Sequence, residues 1–405
     1  MKILISHTNY PAQFRRLLPG LVKAGHEVVF LCQGREWHAP AVENFKLMVY
    51  TPHRAGGGAV IHPYLRRFEQ AVLQGQAAYR QAETLAKTHW YPDLIINHVG
   101  FGSGLYLGDL FPNAKKIGLF EWYYNAEGAD VDFIRRGPVD AERKLMLRTW
   151  NAQTLLELAS CDNAVSPTKW QRDQFPRHLR SHLTVIHEGI DTEMLGNLRS
   201  TGMPLPEALK NQQNLEIITY VSRGFEEYRG FPQAMLAIAE LQRRRPNAHA
   251  LIVGHDGVAY GANRSDNRSW GQWAVEEAGL NIDRTHWLGI LQDAEYHQVL
   301  ACSTVHLYLT VPFVLSWSLL EAMAAGCALV ASDTAPVQEV LEHGRSGLLV
   351  DFFDPSAQAG AIEYLLDRPS EREKFANCAK SRAGNYSHRL GLQAWGKLIG
   401  DEFTI

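Results

Sequence analysis

Residues 312–340 read PFVLSWSLLEAMAAGCALVASDTAPVQEV. Two serines, Ser316 and Ser318, precede an apolar run that a single carboxylate, Glu321, interrupts. Gly326 then allows a sharp exit into ALVAS (328–332), an apolar strand, and TVHLYL (304–309) lies upstream as another. Strand, helix and strand in this order make a βαβ unit and imply a parallel sheet. In such sheets ligands bind outside the carboxyl ends of the strands, which is where this helix begins.

Glu321 has two readings. Ser318-Leu-Leu-Glu321 fits a capping box, in which the serine hydroxyl takes an amide of the first turn and the glutamate reaches back. Alternatively, the amides at the helix start receive phosphate oxygens, and a carboxylate one turn in accepts hydrogen bonds from a ribose diol.

The same alternation extends in both directions. Toward the N-terminus it includes strands KILIS (2–6), EVVFLC (27–32), DLIIN (93–97), KIGLF (116–120), NAVS (163–166) and LTVIH (183–187), with helical spacing from Phe14 to Val22 and at about 63–89 and 139–159. A polar stretch with two prolines, GNLRSTGMPLPEALKNQQ (196–213), is the expected linker. Beyond it come strands EIITYVS (216–222), HALIVG (249–254), THWLG (285–289) and GLLVD (347–351), with a helix at about 231–244. Two α/β domains are expected, 1–205 and 206–385.

Composition narrows the class. Of 405 residues, 46% are apolar and 20% charged, as in ordinary globular proteins. A net charge of −3 gives no electrostatic footprint for nucleic acid. Five scattered cysteines form no CxxC pair, which argues against a disulfide framework or zinc knuckle and fits a reducing cytoplasm. The first residues lack the apolar core and cleavage site of a signal peptide, and no stretch has the length of a membrane span.

The segment SWSLLEAMAAGCALVASDTAPVQEVLEHGRSGLLVDFFDP (316–355) resembles the C-terminal core of the family 4 (group 1) retaining glycosyltransferases. The resemblance implies a GT-B fold: two Rossmann-like, doubly wound domains facing across a cleft, with a C-terminal helix crossing back to the first. HRLGLQAWGKLIGDEF (388–403), anchored by Trp395, suits that helix. The family motif pairs two glutamates eight residues apart. Glu321 matches the second, which grips the ribose of the donor nucleotide. Phe313 stands where the first should contact the donor sugar. The pattern matches a bacterial subgroup lacking that first glutamate.

Further residues follow from the same resemblance. In YVSRGFEEYRGF (220–231), Arg223 and Arg229 match a basic pair that clamps the diphosphate, and their charge would offset that of the departing group. The ordinary alternative is two exposed arginines in a turn. Val314, Leu315, Ser316, Trp317 and Ser318 are expected to support the donor, and Gly289, Ile290 and Leu291 to cradle its base, unless they simply end a buried strand. The polar insertion GHDGVAYGANRSDNRSWGQW (254–273) has the length of a functional loop.

The N-terminal half supplies acceptor-side candidates. Tyr10 and Gln13 lie in HTNYPAQF (7–14), where family members often have a glycine-rich loop. In FEWYYNAEGADVDF (120–133), Glu121 takes the place of a family histidine near the donor sugar, with Arg135 as its possible structural partner, while Tyr123 and Tyr124 are placed to stack on sugar. His98 ends DLIINH. Asp130-Val-Asp132 has the spacing of a manganese site in GT-A enzymes, which have no second α/β domain, so no metal is expected. Basic residues gather at Arg135, Arg136, Arg143, Lys144 and Arg148, and again at Lys169, Arg172, Arg177 and Arg180. A solvated face is the ordinary reading, and a lipid diphosphate at the inner face of a membrane is the sharper one.

The expected activity is transfer of a sugar, with retention, from a UDP- or GDP-sugar to a saccharide, lipid-linked or protein acceptor in bacterial glycoconjugate synthesis. Neither cofactor nor nucleic-acid partner is expected. The alternatives are a non-hydrolysing sugar-nucleotide epimerase and a non-catalytic nucleotide-sugar scaffold.

Overall fold

The computed structural model describes residues 1–34, 42–56, 58, 60–201, 205–210 and 214–400. Parts of the expected linker (202–204 and 211–213) and of the expected last helix (401–403) lie outside the described residues.

The chain forms two compact units: Met1–Gly189 together with the chain from His388 onward, and Ile190–Ser387. The division falls ahead of the polar stretch 196–213. Leu195 and Leu198 explain this, since both are buried among Leu319, Leu320 and Met323 of the second unit. Arg199 also ties the stretch down, donating to the carbonyls of Ser303 and Ala325.

In the first unit, seven strands pair in parallel: β1 (Lys2–Ser6), β2 (Glu27–Gln33), β3 (Phe45–Tyr50), β4 (Leu94–His98), β5 (Lys115–Leu119), β6 (Asn163–Ser166) and β7 (Leu183–Val185). Their order is β3-β2-β1-β4-β5-β6-β7. The central strands are buried almost throughout, as in parallel sheets covered on both faces. Of these strands only β3 is missing from the sequence reading. It lies at the edge, and its residues FKLMVY mix exposed and buried positions instead of forming an apolar run.

The expected helix at 139–159 is two helices, Ala141–Trp150 and Ala152–Ala159. Asn151 sits between them, with its side chain accepting from the Tyr124 amide and donating to the Tyr124 carbonyl.

The second unit has six parallel strands: β8 (Glu216–Gly224), β9 (Ala248–His255), β10 (Thr285–Gly289), β11 (Val305–Tyr308), β12 (Ala328–Ser332) and β13 (Leu348–Val350). Their order is β10-β9-β8-β11-β12-β13. In both sheets the order reverses beside the first strand, between β1 and β4 and between β8 and β11. These reversals open the crevices in which doubly wound sheets bind ligands. No helix among the described residues is long and apolar enough to cross a membrane.

The last helix, His388–Ile399, belongs to the first unit. Leu392, Trp395 and Ile399 pack among Ile3, Ile5, Phe14, Leu17 and Ile117. Trp395 is 3% exposed, so its truncation leaves a cavity in that core. Trp395→Ala is expected to cost about 3–5 kcal/mol, read as a lower urea midpoint by circular dichroism. An unchanged midpoint would mean the helix is not part of the cooperative core.

Candidate active site

At the reversal point of the second unit, β8 carries Arg223 at its end and runs into the turn that carries Arg229. Arg223 is exposed and makes no hydrogen bond or ion pair to a described residue. Arg229 lies beneath the turn, 6% exposed. Its Nη1 donates to Thr310 Oγ1 at 2.8 Å and to the Val314 carbonyl at 3.0 Å, both in the segment after β11. Its Nε and Nη2 make no hydrogen bond to a described residue. One edge of the guanidinium is therefore anchored, and the other keeps the paired donors that suit a bidentate oxyanion. Burial works against the charge, but Tyr308, Tyr260, Glu226 and Tyr220 outweigh it and raise the pKa, so the group stays cationic.

The helix Trp317–Ala324 starts at Ser316, whose Oγ accepts from the Ser318 amide. The cap is thus two residues earlier than the capping box in the sequence, and Glu321 lies too deep in the helix to complete one. Instead its Oε2 accepts from the Tyr296 hydroxyl at 2.9 Å, which leaves the carboxylate partly exposed. Burial and this carboxylate raise the Tyr296 pKa well above the ordinary tyrosine range. The Ser316 amide is already bonded to the Tyr308 hydroxyl, so the amides of both Ser316 and Ser318 are engaged within the protein.

Gly289 and Ile290 line an open pocket of about 680 Å³ together with Phe225, His255 and Trp287. Ile290 is 74% exposed, and the apolar lining suits a flat ring. Leu291 instead packs toward Leu251 and Val299.

In the first unit, the carboxyl ends of β1, β4 and β5 gather a polar cluster. His98 Nε2 lies 3.0 Å from Glu121 Oε2. Gln13 Nε2 donates to both carboxylate oxygens at 3.1 Å. Burial would raise the Glu121 pKa, but His98, Gln13 and His187 reverse this and hold it below the ordinary carboxylate range. His7, which the sequence reading passes over, completes the group, its ring centroid 4.6 Å from that of His98. Its Nδ1 accepts from the Asn9 amide. Burial and then His98 push its pKa well down, so the ring is neutral with its proton on Nε2. Its position directly after β1 is the signal that identifies it.

The other acceptor-side candidates are elsewhere. Tyr10 packs edge-on against Phe30 and stacks with Phe45. Tyr123 packs on Phe175. Tyr124 meets Trp150 edge to face, and its hydroxyl takes a hydrogen bond from Arg67. Arg135 pairs with Asp140, not Glu121. Asp132 has both oxygens engaged by the Gly128 and Ala129 amides at a helix start, a capping role in place of a metal ligand's.

Residues 24–195 match the model of the glycosyl transferase family 4 group, and residues 205–382 match that of the glycosyl transferases group 1. The chain belongs to this family and is a glycosyltransferase. The phosphatidyl-myo-inositol mannosyltransferase of Mycolicibacterium smegmatis is 26% identical over 374 residues, 90% of this chain and 82% of the relative. The GT-B fold is shared with sucrose-phosphate synthase from Thermosynechococcus elongatus, at a TM-score of 0.69, 18% identity and coverage of 99% and 98% of the two chains. It is also shared with Anabaena HepE in complex with UDP-glucose, at 0.69, 15% identity and 99% coverage of both.

The lowered pKa of Glu121 makes a testable statement about stability. A carboxyl with a depressed folded-state pKa stabilises the fold above its unfolded pKa, and that contribution is lost as pH falls through the folded value. The stability gap between wild type and Glu121→Gln is expected to be widest near neutral pH and to close as the solution is acidified below the ordinary glutamate range. Urea unfolding across a pH series measures it, and a gap independent of pH would contradict the assignment.

Proposed function

We propose that this glycosyltransferase takes its sugar from a nucleoside diphosphate sugar bound by the second unit and transfers it with retention to a hydroxyl-bearing acceptor at the first. The observation that carries the reading is the half-anchored guanidinium of Arg229 at the β8–β11 reversal, bonded to the segment that leads into the helix of Glu321. A diphosphate bound there meets the Nε–Nη2 edge of Arg229 and the exposed Arg223. Charge that builds on it as the glycosidic bond breaks is offset by groups already in place, so little reorganisation is needed. Glu321, oriented by Tyr296, accepts from the ribose hydroxyls, and the base enters the pocket beside Gly289 and Ile290. A UDP or GDP donor fits this arrangement, and HepE, a structural neighbour, binds UDP-glucose.

On the acceptor side, His7, His98, Gln13 and Glu121 present a neutral imidazole and an oriented carboxylate at the β1–β4 reversal. These groups suit a polyol. A lipid-linked acceptor, and with it contact at a membrane surface, is the sharper form of the proposal, supported by the mannosyltransferase likeness. The basic cluster gives it limited help, since Arg135 and Lys144 are paired with Asp140 and Glu127.

Arg229→Ala is expected to raise the donor KM and to lower kcat by about 10²–10³. Steady-state nucleotide release with UDP- and GDP-sugars checks this, and kinetics matching wild type would remove Arg229 from the site. Glu321→Gln is expected to fold normally and weaken donor binding about tenfold or more, the scale of a lost hydrogen bond to a charged group. Calorimetry with the nucleoside diphosphate separates this from a purely structural role, in which stability falls and affinity holds.

A further inference from the structure

The polar insertion after β9 is fastened to the end of β8, which carries Arg223, and to the turn that carries Arg229. Glu226, between those arginines in sequence, has a fully buried side chain. Its Oε2 accepts from the Tyr260 amide at 2.9 Å and the Gly261 amide at 2.6 Å, while its Oε1 is buried with no hydrogen bond to a described residue. The backbones meet closely as well. A Cβ at Gly224 would fall 2.4 Å from the Gly257 carbonyl oxygen, and one at Gly254, where φ is +147°, would fall 2.3 Å from that of Ser222. Only glycine permits this approach. Farther along, Asp256 takes hydrogen bonds from Ser269 Oγ and the Gly271 amide, which closes the loop at its other end.

The fastening delivers one aromatic side chain. Tyr260 lies with its ring 5.4 Å from the Arg229 guanidinium and 5.4 Å from the Phe313 ring, edge to face. Tyr228 meets Phe313 from another side at 5.5 Å. The Phe313 turn is itself tied down, since the Val311 amide donates to the Tyr228 carbonyl and Val314 accepts from Arg229. Tyr260 remains 44% exposed, so a face is available.

We propose that residues 256–269 form the wall that selects the donor sugar, latched by Glu226 and acting through Tyr260 and Phe313. The proposal rests on the diphosphate reading of Arg229, because the sugar bonded to that diphosphate is the group that meets these rings. Aromatic rings hold a pyranose by its C–H face, and a uronate carboxylate set against them would be desolvated without a partner. The donor class is therefore a neutral hexose, and uronates are rejected. Glu226 is a positioning residue. It touches no substrate, and its burial beside Arg229 keeps the wall and the cation in one arrangement.

The test measures dissociation constants by calorimetry for UDP, UDP-glucose and UDP-glucuronate, and for GDP and GDP-mannose, on wild type and four variants. Tyr260→Ala is expected to weaken the neutral nucleotide sugar about tenfold while changing the bare nucleotide less than threefold, whereas Glu226→Ala, which also removes a charge near Arg229, is expected to weaken both. Glu226→Gln keeps a carbonyl oxygen for both amides and is expected to stay near wild type. Glu226→Ala should also open 256–269 to limited proteolysis at unchanged secondary structure. In Tyr260→Ala, equal loss of nucleotide and nucleotide sugar or no loss of either overturns the wall, as does wild-type preference for the uronate. The fourth variant, Arg229→Ala, tests the underlying reading. If wild type binds neither nucleotide, or Arg229→Ala binds as wild type does, the diphosphate site fails and the wall with it.

Discussion

The anchoring of Arg229 through Nη1 joins the two chain segments that diverge at the β8–β11 reversal. One segment brings the arginine from the first strand of the second unit, and the other brings Thr310 and Val314 from the turn after β11. A flexible arginine at this point would lose rotamer freedom whenever it bound an anion. Here much of that cost is met in the folded protein, and the second edge of the fork is left in a fixed direction.

The surroundings of that cation follow from the need to keep a buried charge tolerable. Glu226 is near enough to favour the charged arginine, and its own negative charge is held by two backbone amides. The first unit solves the converse problem with the same device. Glu121 remains anionic because His98, Gln13 and His187 surround it. Each unit thus keeps a charged group at the reversal of its sheet, cationic in one and anionic in the other.

Phe313 departs from the pattern that the family resemblance implies, and the structure gives the departure a context. The position belongs to a set of three rings, with Tyr228 from the arginine turn and Tyr260 from the insertion. A carboxylate in place of this ring would lose both edge-to-face contacts. An aromatic residue at 313 is consistent with its neighbours.

Much was legible in the amino-acid sequence alone. Short apolar runs separated by helical spacing determined the parallel α/β class, because side-chain periodicity acts locally and needs no knowledge of the partner strand. The position of Arg229, Glu321 and His98 near strand ends was legible for the same reason. Edge strand β3 and the break at Asn151 were not, since one depends on which strand lies outermost and the other on a hydrogen bond to Tyr124. Only the tertiary structure decided that Ser316 caps the helix, that Gln13 meets Glu121 across 108 positions, and that Glu226 receives the amides of residues 34 and 35 positions away. Contacts of that kind are set by how strands and loops are brought together in space, and composition or spacing along the chain carries no record of them.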